Sequence, residues 1–205
     1  MPRRKPRATH EQAALQLARR RGLLHARDVA AAEIPTVVLT RLVRGGQLVR
    51  AGRGVYALPG RRGSAHRSLA EVALRVPRGV VCLLSALRVH EIGTQAPFEV
   101  WLALPAGVAA PRLDSPAIRV VRMTGVSLAR GVERVEIDGV NVPVYDAAKT
   151  IADCFKFRNK IGLDVALEAL REAWRERKVT TEALWRYAKL NRVANVMRPY
   201  LEALV

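Results

Sequence analysis

Apolar residues in the first third of the chain recur every three or four positions in short stretches, then give way to two brief β-prone runs. Thr9-His-Glu-Gln12 fits a capping box ahead of a helix running to about Arg21. Ala13 and Leu17, with Ala14 and Leu24, are expected on its buried side. A second, short helix is predicted over 26–32 and meets a turn at Glu33-Ile34. Pro35 follows, where the missing N–H of a first helical residue costs nothing, and a third helix runs from there to a stop at Gly45-Gly46. At 3.6 residues per turn, Pro35, Val38, Leu39 and Leu42 share one face, and Val37, Thr40, Arg41 and Arg44 share the other.

Residues 47–50 and 54–58 then read as a hairpin joined through Ala51-Gly52-Arg53. Glycines on both sides of Arg53 allow positive φ at the turn and leave the arginine at its tip. Helix, turn, helix and hairpin in this order make residues 22–58 a winged helix-turn-helix, with double-stranded DNA as the expected partner. The face with Val37, Thr40, Arg41 and Arg44 is the groove reader. Arg53 suits a narrow minor groove and Arg50 a phosphate, and Arg27 and Thr36 complete this set. Two departures from the usual pattern stand out. His25 occupies an N-cap position where Ser or Thr is stronger, and Glu33 sits in the turn where Gly is common.

Charge follows the same division. Residues 1–63 hold fourteen Lys and Arg against three acids, an excess of +11 out of the chain's +17. Arginine is 29 of the 35 basic residues, a bias that GC-rich coding also produces, so the distribution carries more weight than the total. The arm with Arg3, Arg4, Lys5 and Arg7 is expected to be disordered when free and to lie along a phosphate backbone when bound.

Pro59-Gly-Arg-Arg-Gly-Ser64 is rich in chain breakers and reads as the boundary between a DNA-binding domain, 1–63, and a second domain, 64–205. In the second, 66–76 and 85–92 are predicted helical, 98–104 and 118–123 are predicted strands, and 135–145 is a hairpin turning at Asp138-Gly139. From Asp146 the pattern is helical. Ile151, Cys154 and Phe155 share one apolar face; Leu163, Ala166, Leu167, Leu170 and Trp174 share another, and 181–190 and 194–204 repeat the theme. The fold class is α+β, with a small, mainly antiparallel sheet under a helical layer. Trp101, Trp174 and Trp185 are expected in its core. Cys82 and Cys154 sit among apolar residues and read as buried, reduced thiols. The most apolar run, 80–87, is far shorter than the ~20 residues of a membrane span, and no apolar signal core follows the basic start, so a cytoplasmic protein without membrane attachment is expected.

Catalytic constellations compete with simpler roles. Asp138, Asp146 and Lys149 supply the two carboxylates and lysine of a metal-dependent nuclease, yet Asp146 falls at a helix start, where capping accounts for it. His90-Glu91-Ile-Gly-Thr94 begins like a zinc-protease motif but places Thr94 where the second histidine must stand. His10, His25 and His66 read as surface or capping residues. Gly52-Arg-Gly54 precedes a strand and is no phosphate loop. No enzyme, metal or cofactor is expected.

Residues 22–58 resemble the N-terminal winged helix of AbiEi-type antitoxins, and Val144-Tyr-Asp-Ala-Ala-Lys-Thr-Ile-Ala-Asp-Cys-Phe-Lys-Phe-Arg-Asn-Lys160 resembles their C-terminal region. Leu83-Leu-Ser-Ala-Leu-Arg-Val-His-Glu-Ile-Gly93 and Glu99-Val-Trp-Leu-Ala-Leu-Pro105 fit between them in the same order. The resemblance implies a cytoplasmic regulator that represses its own operon through promoter repeats. It also implies a type IV antitoxin, acting against a nucleotidyltransferase-type toxin without a stable complex. Within the family-like segment, Asp153, Lys156, Arg158 and Lys160 read either as a solvated, locally ion-paired face or as an antitoxin or operator-stabilising surface. A protein-interaction module that uses DNA binding only for autoregulation is the alternative function, and a nuclease is the third.

Overall fold

The computed structural model describes residues 9–60 and 65–204. Arg3, Arg4, Lys5 and Arg7, and residues 61–64 of the expected boundary, lie outside the described residues. The chain forms two compact units, Met1–Pro77 with Glu136–Asn141, and Arg78–Val135 with Val142–Val205. The first unit thus continues past residue 63, through a helix whose apolar face (Leu69, Ala70, Val72) is buried.

In the first unit, α1 (His10–Arg21) starts with the expected capping box: Thr9 Oγ1 accepts from the Gln12 N–H at 3.3 Å and Gln12 Oε1 from the Thr9 N–H at 3.1 Å. Its fully buried side chains are Ala14 and Ala18, whereas Ala13 and Leu17 are half-buried. Small residues carry the closest approach because they let α1 lie near its neighbour. After β1 (Leu23–His25) and α2 (Ala26–Ala31), Glu33 takes a left-handed φ of 57° to turn the chain. The next helix, α3, spans Val37–Arg44, so Pro35 is not its first residue. Instead the Pro35 and Thr36 carbonyls accept from the Val38 and Leu39 N–H groups, each at 3.0 Å, in a tightened entry turn. Pro35 is exposed, and Ile34 occupies the buried position expected for it. Val38, Leu39 and Leu42 join Ala14, Ala18, Leu24, Val29, Ile34 and Leu48 in one core.

Past the Gly45-Gly46 stop, β2 (Val49–Gly52) and β3 (Val55–Ala57) form the hairpin. A third strand, β1, is not foreseen by the hydrophobic pattern and pairs with β3 to give the antiparallel order β1-β3-β2. The unit closes with α4 (Arg67–Arg75).

The second unit contains β4 (Val80–Val81), α5 (Leu83–Val89), β5 (Val100–Pro105), β6 (Ile118–Met123) and α6 (Gly125–Ala129). The hairpin β7 (Val132–Ile137) and β8 (Val140–Tyr145) follows, its tip counted with the first unit; Asp138 and Gly139 at the turn have φ of 49° and 76°, as a tight hairpin turn requires. The helices α7 (Ala147–Lys156), α8 (Arg158–Ile161), α9 (Leu163–Arg175), α10 (Thr181–Leu190) and α11 (Ala194–Glu202) complete the chain. The five strands run in the order β6-β5-β4-β8-β7. The α+β class holds, but the sheet is mixed rather than mainly antiparallel: β4/β8 and β5/β6 are parallel and β4/β5 antiparallel. The Pro- and Ala-rich stretch 106–117 gives the parallel neighbours β5 and β6 the connection of about a dozen residues that such a pair needs. Phe98 stands outside β5 and is 90% exposed, and Leu163 at the start of α9 is 37% exposed, both against expectation. Trp101 is buried, while Trp174 and Trp185 are half-buried.

Helix α7 is buried almost throughout, Ile151, Cys154 and Phe155 included. It carries two charges into the core. Lys149 and Asp153 are both fully buried, with Lys149 Nζ at 2.6 and 2.5 Å from the two Asp153 oxygens. Asn191 Nδ2 donates to Asp153 Oδ1 at 2.7 Å, and the Lys149 ammonium lies 4.2 Å from the Tyr145 ring centroid. Cys82 and Cys154 are buried and free, their thiols pushed up by burial and so kept protonated.

Removing one member of this pair leaves the other charge buried alone. Asp153→Ala is expected to lower unfolding stability by about 3–5 kcal/mol, whereas Lys149→Met combined with Asp153→Leu should lie much nearer the wild type. Urea unfolding of the three chains checks this, and a double variant as unstable as Asp153→Ala contradicts it.

Candidate nucleic-acid interface

The first unit presents three groups of exposed side chains, each set by a different element. On α3, burial of Val38, Leu39 and Leu42 leaves Val37, Thr40, Arg41 and Arg44 exposed, with Thr36 just before them. Arg27 is exposed in the first turn of α2. On the hairpin, Arg50 and Arg53 are exposed. Among the described residues no salt bridge engages Arg27, Arg41, Arg44, Arg50 or Arg53. The structure therefore places all eight described candidates on one unit, with their five guanidinium groups free of carboxylates.

Local chemistry explains the placement of the wing. Gly54 alone supplies the left-handed backbone, at φ 73°; Gly52 belongs to β2 and needs none, which corrects the two-glycine turn. The hairpin register skips between Arg50 and Gly52, leaving Ala51 as the extra residue of a bulge. The Gly54 carbonyl accepts from the Ala26 N–H at 2.9 Å, so the turn after Arg53 is bonded to the start of α2. Arg75 of α4 also lies beside the hairpin, its guanidinium 3.5 Å from where a Cβ on Gly52 would stand. It falls beyond the boundary drawn in the sequence, and only a helix predicted over 66–76 hints at it.

His25 is the N-cap of α2, as its position suggests. Its Nδ1 accepts from the Arg27 N–H and its own N–H donates to Asp28 Oδ2, both at 3.1 Å. Asp28 in turn pairs with Arg21 at 2.8 Å. An accepting Nδ1 requires the neutral ring, and burial, helped by the Arg27 charge and opposed by Asp28, lowers the His25 pKa.

The second cluster does not assemble as one surface. Asp153 is fully buried and bound to Lys149 and Asn191, because positions four apart on a helix that buries most of its circumference pair inside the core. Lys156 is half-buried, with Nζ 3.4 Å from Ser127 Oγ and its pKa lowered chiefly by burial. Arg158 donates to the Phe155 carbonyl at 2.9 Å, and Lys160 is exposed.

Residues with catalytic potential have other partners. Asp146 Oδ1 accepts from the Lys149 N–H at 2.7 Å as the N-cap of α7, and Asp146 Oδ2 accepts from the Tyr187 hydroxyl at 2.6 Å. Lys149 turns to Asp153. His90 Nε2 lies 2.7 Å from the Tyr145 carbonyl and 3.8 Å from Glu133, beside a cavity of about 460 Å³ that Asp146, Arg177 and Arg186 also line. Thr94 hydrogen-bonds Glu168 at 2.8 Å. Among the described residues no three His, Cys, Asp or Glu side chains are grouped to hold a metal ion, and no helix is long and apolar enough to cross a membrane.

Comparison with known proteins agrees with the first unit. Residues 12–59 match the family model described as transcriptional regulator, AbiEi antitoxin, so the resemblance read from the sequence is shown over that stretch. The crystal structure of the RV2827C protein from Mycobacterium tuberculosis is similar in fold, with a TM-score of 0.58 at 17% identity, over 92% of this chain and 73% of that one. No curated protein matches the sequence.

The His25 cap makes stability depend on pH. A histidine whose folded pKa lies below its unfolded value of 6.5 contributes stability that is full above about 6.5 and is lost as the pH falls through the lower folded value. His25→Ser keeps a cap without a titrating ring. Melting temperatures measured between about pH 8 and about pH 5 should therefore fall more for the wild type than for His25→Ser; parallel curves count against the cap.

Proposed function

We propose that this chain is a DNA-binding transcriptional autorepressor that inserts α3 in the major groove and sets Arg53 in the neighbouring minor groove. The observation that carries the reading is the division of α3 into a buried stripe and an opposite face of Val37, Thr40, Arg41 and Arg44 with no acidic partner. Arginine matches the O6 and N7 acceptors of guanine in a bidentate fork, and threonine serves several bases. Arg27 and Arg50, with the basic residues Arg3, Arg4, Lys5 and Arg7 of the sequence, supply phosphate contacts that add affinity without sequence choice. Repeats in the chain's own promoter are the proposed site, in the cytoplasm.

The regulator-antitoxin family matched by residues 12–59 supports this reading. It also supports an antitoxin role, which we assign to the second unit, against a nucleotidyltransferase-type toxin and without a stable complex. No hydrolytic step belongs to this role: Asp146 is occupied as a helix cap and Lys149 as half of a buried ion pair.

Footprinting on the DNA upstream of the gene tests binding and symmetry together. Arg41→Ala and Arg44→Ala should each cost ~1–3 kcal/mol where the side chain meets a guanine, unevenly across variant sites. Arg53→Ala should weaken sites with A/T-rich flanks more than those with G/C-rich flanks, and Arg50→Ala should weaken all sites alike. Unchanged affinity of the Arg41→Ala/Arg44→Ala double variant for the footprinted site removes α3 as the reader.

A further inference from the structure

Val37 opens α3 with 53% of its surface exposed, a large apolar side chain on a face otherwise made of Thr40, Arg41 and Arg44. Stability does not explain it. A β-branched residue is a weaker helix former than alanine, leucine or arginine, and at an exposed position it recovers little by burial. The buried stripe of Val38, Leu39 and Leu42 is complete without it. Val37 lies one turn ahead of Thr40 and Arg41, at the N-terminal end of the helix, and the first residues of a recognition helix are the ones that reach base edges. In the major groove the apolar feature of a base edge is the C5-methyl of a pyrimidine.

We infer that Val37 packs on a C5-methyl group in the major groove, so that α3 reads a methyl-bearing pyrimidine beside the guanine taken by Arg41 or Arg44. The inference rests on the DNA reading above and adds the identity of one base to it. Thymine and 5-methylcytosine both present this methyl, and they differ in the group at C4.

The test uses the full chain and duplexes enriched by it from a randomised pool. Each thymine is replaced in turn by deoxyuridine, which removes the methyl and leaves the pairing unchanged. One position is expected to lose about threefold to fivefold in affinity, the worth of one buried methyl. Val37→Ala should show that loss on the unmodified duplex and should bind the thymine and uracil forms equally. This substitution is on an exposed site and favours the helix, so folding is preserved. At the same position, cytosine is then compared with 5-methylcytosine: recovery with the methylated base means the methyl suffices, and no recovery assigns the contact to thymine. Either result keeps the contact and names its source. A Val37→Ala chain that still prefers thymine to uracil there overturns the inference, as does a wild type indifferent to uracil at every position. In both cases a loss of binding by Arg41→Ala/Arg44→Ala leaves the DNA reading standing, whereas failure to enrich any duplex takes both down.

Discussion

The burial of Val38, Leu39 and Leu42 is the constraint on which the first unit's chemistry depends. Each is no more than 4% exposed, packed with Ala14, Ala18, Leu24 and Val29. Side chains of this size contribute roughly 1.5–3 kcal/mol each when fully buried. Rotating the helix by one residue, about 100°, would bring Arg41 toward that core in one sense and Thr40 in the other, and an unpaired buried charge costs several kcal/mol. The exposed face is thus fixed by subtraction: what the core cannot take is what a groove can meet.

The hairpin is held to the helices by backbone bonds as well as by side chains, Tyr56 and Leu58 being packed against the helical core. β3 lies between β1 and β2, and β1 leads directly into α2, whose first N–H bonds the Gly54 carbonyl. Arg53 is therefore carried on a turn tied to the α2 terminus by a main-chain bond. In the proposed DNA complex such preorganisation would lower the ordering cost of binding, leaving mostly arginine rotamers to be fixed. The His25 cap belongs to the same junction, which couples its protonation to the place where helix and wing meet.

Features written in local chemistry are legible in the sequence alone: the Thr9-Gln12 box, the His25 cap, the Gly45-Gly46 stop, the Asp138-Gly139 turn and the Asp146 cap. Each depends on residues within four positions of one another. What escapes depends on distant partners. β1 has three residues and β4 two, too few for alternation to show, and both exist because another strand pairs with them. Strand direction in the second unit is set by crossovers, which a hydrophobic pattern does not encode. The charged cluster after Asp146 is the sharpest case. Lys149 and Asp153 are spaced as an ordinary surface pair, and their burial follows only from the elements that close around α7, Asn191 of the α10 terminus among them. Asp153 is therefore missing from the expected surface, and Lys156 only half belongs to it.

On the proposed DNA-binding function, the size of α3 also limits what one copy could specify. Eight residues make a helix of ~12 Å, which spans roughly three to four base pairs. Within that reach, contacts worth ~1–3 kcal/mol each compete with the very large number of non-specific sites in a genome. In their proposed roles Arg27 and Arg50 would not change that ratio, since phosphate contacts strengthen the wrong sites and the right ones together. Arg53, in its proposed role, would add only a preference for groove width. A regulator built on so short a reader gains discrimination by engaging more than one site, because separate recognition events multiply their ratios. On the function proposed above, the promoter repeats implied by the resemblance to AbiEi-type antitoxins would supply that further site, and selectivity would then lie in the pairing of sites as much as in any single arginine.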